Sequence, residues 1–122
     1  MDKMVGELAK RNFWSVAPDD PADAIAEEMV ARRLTWAPVL EGDTLVGVVS
    51  AWDLLHSRAR GQQGDTPAWR ACTYKPLTVA PETTASEAIR IMCQAHVHHL
   101  LVVSPDQKVV GFVSPLDLLA AG

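Results

Sequence analysis

Two Ser-x-x-Asp motifs, Ser50-Ala51-Trp52-Asp53 and Ser114-Pro115-Leu116-Asp117, carry the most specific chemistry in the sequence. Each closes an apolar run, LVGVVS or VVGFVS, and opens a segment that reads as a helix, with Pro115 at the first helical position of the second. A serine there caps the helix, and the acid three residues on accepts the serine N–H and complements the helix dipole. The capping duty leaves room for another. A carboxylate can accept hydrogen bonds from both hydroxyls of a ribose, and a helix N-terminus offers partial positive charge to a phosphate. A second constellation, Cys93-x-x-His96-x-His98-His99, has ligand types at spacings plausible for zinc, but no further cysteine pair supports it. No nucleophile elbow, P-loop or dinucleotide fingerprint accompanies the serines, histidines and acids, so no enzymatic activity is expected. The acid pairs Asp19-Asp20 and Glu27-Glu28 fall at a helix start and on a helix surface, where solvation and dipole effects suffice.

The elements that must position the two motifs are written twice. Ser15 to Leu55 matches Thr78 to Leu119, with an offset of 63 that becomes 64 after the second hairpin turn gains one residue. Val16/Val79, Pro18/Pro81, Met29/Met92, Gly47/Gly111, Ser50/Ser114, Asp53/Asp117 and Leu55/Leu119 are identical pairs. Each copy reads as strand, helix, strand, turn, strand, helix. The first strands, Trp14 to Ala17 and Leu77 to Ala80, stop at Pro18 and Pro81. The helices then start with Asp20 as N-cap and Pro21 at the first helical position, and with a capping box Thr84-Ala85-Ser86-Glu87. The hairpins are Trp36 to Leu40 with Leu45 to Ser50 around Gly42-Asp43, and His99 to Val103 with Val109 to Ser114 around SPDQK. A short helical patch precedes each copy, at Met4 to Lys10 and Ala68 to Thr73. The expected division is repeat 1 over 1–60, a polar linker over 61–66 and repeat 2 over 67–122.

Composition bounds the alternatives. The chain has 122 residues, 48% apolar and 21% charged, enough to bury one domain's core. A net charge of -4, with no basic run beyond Arg32-Arg33, argues against nucleic acid as a partner. No apolar stretch exceeds strand length and the N-terminus has no secretory pattern, so no membrane insertion and a cytoplasmic location are expected. Cys72 and Cys93 are expected to be reduced, packed thiols.

The tandem of roughly 60-residue units, with V-x-P openings (Val16, Pro18; Val79, Pro81) and the endings GVVSAWDLL (Gly47–Leu55) and GFVSPLDLL (Gly111–Leu119), resembles a CBS-domain pair, or Bateman module. The resemblance implies an α+β fold of tandem β-α-β-β-α repeats, packed sheet to sheet with pseudo-twofold symmetry, and usually a homodimer. It implies a regulatory module that binds AMP, ADP, ATP or S-adenosylmethionine in a cleft between the repeats, with no cofactor required. An effector would be controlled in cis or in trans. Carried over by position, the ligand residues are Lys10, Ser15, Thr35, Trp36, Ala37, Ser50 and Asp53 in copy one, and Thr73, Thr78, His98, His99, Leu100, Ser114 and Asp117 in copy two. His98 and His99 stand where nucleotide-binding members often place a basic residue facing the phosphates. Alternatively, one of the pair points into the core as a neutral imidazole, because strand neighbours face opposite sides. Trp52 follows the cap on the kind of helix that builds the dimer interface in this family. Leu101 replaces the family's proline, and Lys10 stands where a small hydroxyl residue is common. The other reading is a ligand-free module for dimerisation or docking.

Overall fold

Paired apolar strands form the centre of each copy, joined by a turn at Gly42-Asp43 in the first and at SPDQK in the second. The computed structural model describes residues 2–73 and 76–121. Its elements are α1 (Val5–Leu8), α2 (Ala22–Arg32), β1 (Trp36–Glu41), β2 (Thr44–Ser50), α3 (Ala51–Ala59), α4 (Ala68–Ala71), β3 (Thr78–Val79), α5 (Ala85–Ala95), β4 (Leu100–Val103), β5 (Val109–Val113) and α6 (Pro115–Ala121). The fold is α+β with two sheets, β1-β2 and β3-β4-β5.

The chain divides into two compact units that cut across the repeat boundaries 1–60 and 67–122. Trp14 to Pro76 forms one, and the segment up to Phe13 joins the chain from Leu77 onward in the other. Backbone bonding is the reason. Thr73, ahead of the second copy, pairs with Val48 of β2 through N–H to carbonyl bonds of 2.8 and 2.9 Å. Lys10, ahead of the first copy, pairs with Phe112 of β5 through bonds of 2.8 and 3.1 Å. Both bridges need a glycine beside them. A Cβ on Gly47 would sit 2.5 Å from the Thr73 carbonyl oxygen, and one on Gly111 would sit 2.4 Å from that of Lys10. The two identical glycines thus admit a strap of chain to the outer edge of each hairpin.

Within the Trp14–Pro76 unit, β1 and β2 are antiparallel around Gly42, which takes φ +66°, with Leu40 opposite Leu45 and Glu41 opposite Thr44. Val16 adds a one-residue parallel bridge to Val39, all that forms of the strand expected over Trp14 to Ala17. The following turn cuts it short: the Asp20 N–H donates to the Ala17 carbonyl at 3.1 Å, and the Ala17 N–H donates to the Asp20 carboxylate at 2.8 Å. Asp20 is therefore not the N-cap of α2. Pro21 is, in extended conformation, and the first helical N–H groups of Ala22 and Asp23 donate to the carbonyls of Thr66 and Gly64. The expected linker is thus bonded onto α2. Ile25 and Met29 bury their side chains with Val39, Val49 and Leu54 in this unit's core.

In the other unit β3 is parallel to β4, and β4 is antiparallel to β5. Proline again limits the first strand, to Thr78–Val79 rather than Leu77 to Ala80. Thr84 caps α5 by accepting the Glu87 N–H at 3.2 Å, but the reciprocal half of the expected box is absent because the Glu87 carboxylate pairs with Arg90. Strand pairing starts at Leu100 rather than His99. Val5, Leu100, Val102 and Val113 are fully buried with Met92 and Leu118, each apolar side chain contributing about 1.5–3 kcal/mol. Cys93 is exposed on α5, contrary to the expectation of a packed thiol, whereas Cys72 is half-buried with its thiol 3.6 Å from the Trp69 carbonyl.

Gly47→Ala and Gly111→Ala should each lower the unfolding free energy by about 1–3 kcal/mol in urea denaturation. Unchanged midpoints would show that the straps are dispensable.

Candidate functional site

The two Ser-x-x-Asp motifs form matching clusters, one in each unit. Ser50 leaves β2 in extended conformation and caps α3. Its hydroxyl accepts the Asp53 N–H at 3.0 Å, and its own N–H donates to Asp53 Oδ2 at 2.8 Å, completing the capping box. In the second cluster the Ser114 N–H donates to Asp117 Oδ2 at 2.9 Å, and the Ser114 hydroxyl donates to the same oxygen at 2.9 Å. Each aspartate thus commits Oδ2 to its serine.

The strap supplies the neighbour of Oδ1. Thr73 Oγ1 lies 3.4 Å from Asp53 Oδ1 and donates a long hydrogen bond to it. Lys10 Nζ lies 3.7 Å from Asp117 Oδ1, an ion pair whose side chains are 57% and 14% exposed. At that exposure the pair contributes about 0–1 kcal/mol, so Lys10 is readily drawn elsewhere. Lys10 therefore sits with the second copy's aspartate and Thr73 with the first copy's, the reverse of the grouping by sequence copy.

The remaining carried-over residues divide by exposure and face. The Thr35 carbonyl accepts the Ala51 N–H at 2.8 Å and Trp36 is the Cα partner of Ser50, so both flank the Asp53 cluster. Ser15 is exposed immediately before the Val16 bridge, and exposed Thr78 pairs with Leu101, which is opposite Phe112, which bridges Lys10. Ala37 and Leu100 are completely buried in the two cores, leaving only their backbone for any ligand. His98 is exposed and His99 half-buried. The His99 ring meets Phe112 edge-on with centroids 6.1 Å apart, and Phe13 meets the same phenyl ring at 6.3 Å. Phe112 lies two residues before Ser114, near the end of β5. Phe13 and Phe112 are the neighbours of this cluster that the motif pattern did not supply. Their signal was positional only: Phe112 replaces Val48 of the first copy.

Other sequence candidates have structural roles. Arg32 pairs with Glu28 at 2.7 Å and lies 5.4 Å from the Trp14 ring centroid. Arg33 and His96 both take φ 56° as C-caps of α2 and α5, a left-handed conformation that points the zinc-like series around a helix end. Among the described residues no three His, Cys, Asp or Glu side chains gather as a metal-binding group.

Burial first, then the charge of His98, holds the His99 imidazole below its ordinary value of 6.5. Between that lowered value and 6.5 the unfolded chain binds more protons. His99 thus contributes stability above pH 6.5 that is lost as pH falls through the folded value. The melting temperature should fall more steeply from about pH 7.5 to about pH 5.5 in the native chain than in His99→Gln; parallel slopes would contradict this assignment.

With this geometry in place, a CBS-domain family model matches residues 5–60 and 70–122. An inosine-5'-monophosphate dehydrogenase of Korarchaeum cryptofilum is 30% identical over 108 residues, 88% of this chain but 22% of that protein. The chain thus spans about a fifth of that enzyme's length. The crystal structure of CBSX2, an Arabidopsis thaliana protein, in complex with AMP is 27% identical with a TM-score of 0.86, covering 98% of this chain and 95% of that one. The CBS domain protein PAE2072 from Pyrobaculum aerophilum, complexed with AMP, is 26% identical with a TM-score of 0.78, covering 93% and 88%.

Proposed function

Because the chain belongs to the CBS-domain family, with copies in residues 5–60 and 70–122, we propose that it is a regulatory module whose Ser-x-x-Asp clusters bind an adenosine nucleotide or related adenosyl ligand. The observation that carries this reading is the division of labour in each carboxylate. Oδ2 holds the serine N–H, while Oδ1 meets, among the described residues, a weakly held strap side chain, Thr73 or Lys10. A ribose diol can displace that neighbour without undoing the helix cap. The two AMP complexes among relatives at 27% and 26% identity support the ligand class.

Thr35 and Trp36 flank the ribose position of the Asp53 cluster, and Lys10 supplies a cationic group for a phosphate in the unit that carries Asp117, where His98 and His99 offer ring nitrogens as hydrogen-bonding neighbours. Ser15 and Thr78 belong to the same proposed surfaces. A ligand acts on an effector, in cis or in trans, only through its different affinities for two conformations of the module, typically about 1–3 kcal/mol. Among the described residues no helix is long and apolar enough to cross a membrane.

Homodimerisation is part of the proposal. Trp52 and Leu55 on α3, and Leu116 and Leu119 on α6, are each more than half exposed, more large apolar surface than two short helices ordinarily leave in water. Sedimentation should show a dimer; a monomer at every concentration would remove this part.

Calorimetric titration with AMP, ATP and S-adenosylmethionine should give saturable binding with at least one of them. Asp53→Asn and Asp117→Asn should each weaken or abolish one class of site, by about tenfold or more. No heat and no thermal shift with any of the three at millimolar concentration would overturn the proposal.

A further inference from the structure

The two clusters share their main-chain plan and differ in the strap side chain that faces Oδ1. Lys10 and Thr73 both sit on an antiparallel bridge beside a glycine, against the last strand of a hairpin. Where Asp53 has a neutral hydroxyl, Asp117 has an ammonium group. None of the ion pairs among the described residues involves Asp53. Among the described residues the Asp53 carboxylate thus has no ion-pair partner, whereas Lys10 and Asp117 pair opposite charges.

We infer that Lys10 is a specificity-determining residue: it makes the Asp117 cluster select adenosine compounds that carry phosphate, while the Asp53 cluster takes adenosyl compounds that lack one. The inference rests on the proposed contact between each aspartate and the ribose. A nucleoside entering the Asp117 cluster competes with Lys10 for Oδ1 and offers the displaced ammonium nothing in return. A nucleotide gives its hydroxyls to Asp117 and its phosphate to Lys10, so one internal ion pair is exchanged for two charge-assisted contacts with the ligand. The ammonium has three donors and is 57% exposed, so it can turn to a phosphate while its backbone stays fixed on Phe112. At Asp53 the same phosphate meets a carboxylate that has no ion-pair partner among the described residues and is repelled, and a neutral or cationic substituent is favoured. Sequence reading along one copy could not find this, because Lys10 belongs to the first copy and acts on the second.

The test titrates the full chain with AMP and with adenosine after silencing one cluster at a time. In Asp53→Asn, AMP should bind about tenfold or more tightly than adenosine. Adding Lys10→Thr should bring the ratio to about one, and adding Lys10→Arg should keep the preference. In Asp117→Asn, adenosine should bind at least as well as AMP, and adding Thr73→Lys should turn the preference toward AMP. Melting curves of each variant establish that it is folded, with Lys10→Arg serving where Lys10→Thr is not. A preference for AMP that survives Lys10→Thr overturns the inference and leaves ribose binding standing. Failure of the native chain to bind either compound overturns both.

Discussion

The approach of a strap carbonyl to a glycine in the last strand of each hairpin is the constraint on which the rest depends. At Gly47 and Gly111 a side chain would collide with the carbonyls of Thr73 and Lys10. With hydrogen there, the strap closes a pair of backbone bonds and the sheet gains an outer edge. One consequence is covalent economy, since residues ahead of one repeat complete the sheet of the other copy. The other is chemical: the strap residue is delivered to the free oxygen of an aspartate already fixed by its cap.

That fixing is what makes a ligand role compatible with folding. A capping serine and its acid contribute about 1 kcal/mol to the helix start, and their geometry holds the carboxylate plane without help from a ligand. Binding then requires the movement of one strap side chain rather than the rebuilding of a loop, which lowers the ordering cost of recognition. The half-buried His99 and the Phe13–Phe112 contact border the Asp117 unit, whereas in the first copy Val48 stands in place of Phe112 and Trp36 lies opposite Ser50. Two copies of one pattern have thus acquired different surroundings through a few side chains.

Much of this was legible in the sequence because the pattern is repeated. The Gly-to-Leu endings named the family, located the Ser50 cap and set both hairpins within a residue or two of their observed limits, while at Ser114 the reciprocal bond from its N–H to Asp117 forms and the hydroxyl donates to the same carboxylate instead of accepting the Asp117 N–H. What the sequence misplaced lay at junctions. Asp20 has the right chemistry for an N-cap, but the turn from Ala17 recruits its carboxylate and leaves the task to Pro21 and two linker carbonyls. Glu87 has the right spacing for a capping box, but an arginine one turn on competes for it. The exchange of Lys10 and Thr73 between copies is non-local, so hydrophobic period and local motif are silent on it. Its one trace is the pair of identical glycines, whose purpose appears only when the carbonyl beside each is seen. Ala37 and Leu100 show the converse: a family position can be matched while the side chain belongs to the core.

The central claim is that each carboxylate turns its strap-facing oxygen to a ribose. A crystal structure of the chain grown with AMP tests it most directly. The account predicts both ribose hydroxyls within about 3 Å of Asp117, with Lys10 moved from the carboxylate to the phosphate and the Ser114 bonds to Asp117 Oδ2 intact. A nucleotide bound with its ribose away from both Asp117 and Asp53, and with Lys10 still on Asp117, would contradict it.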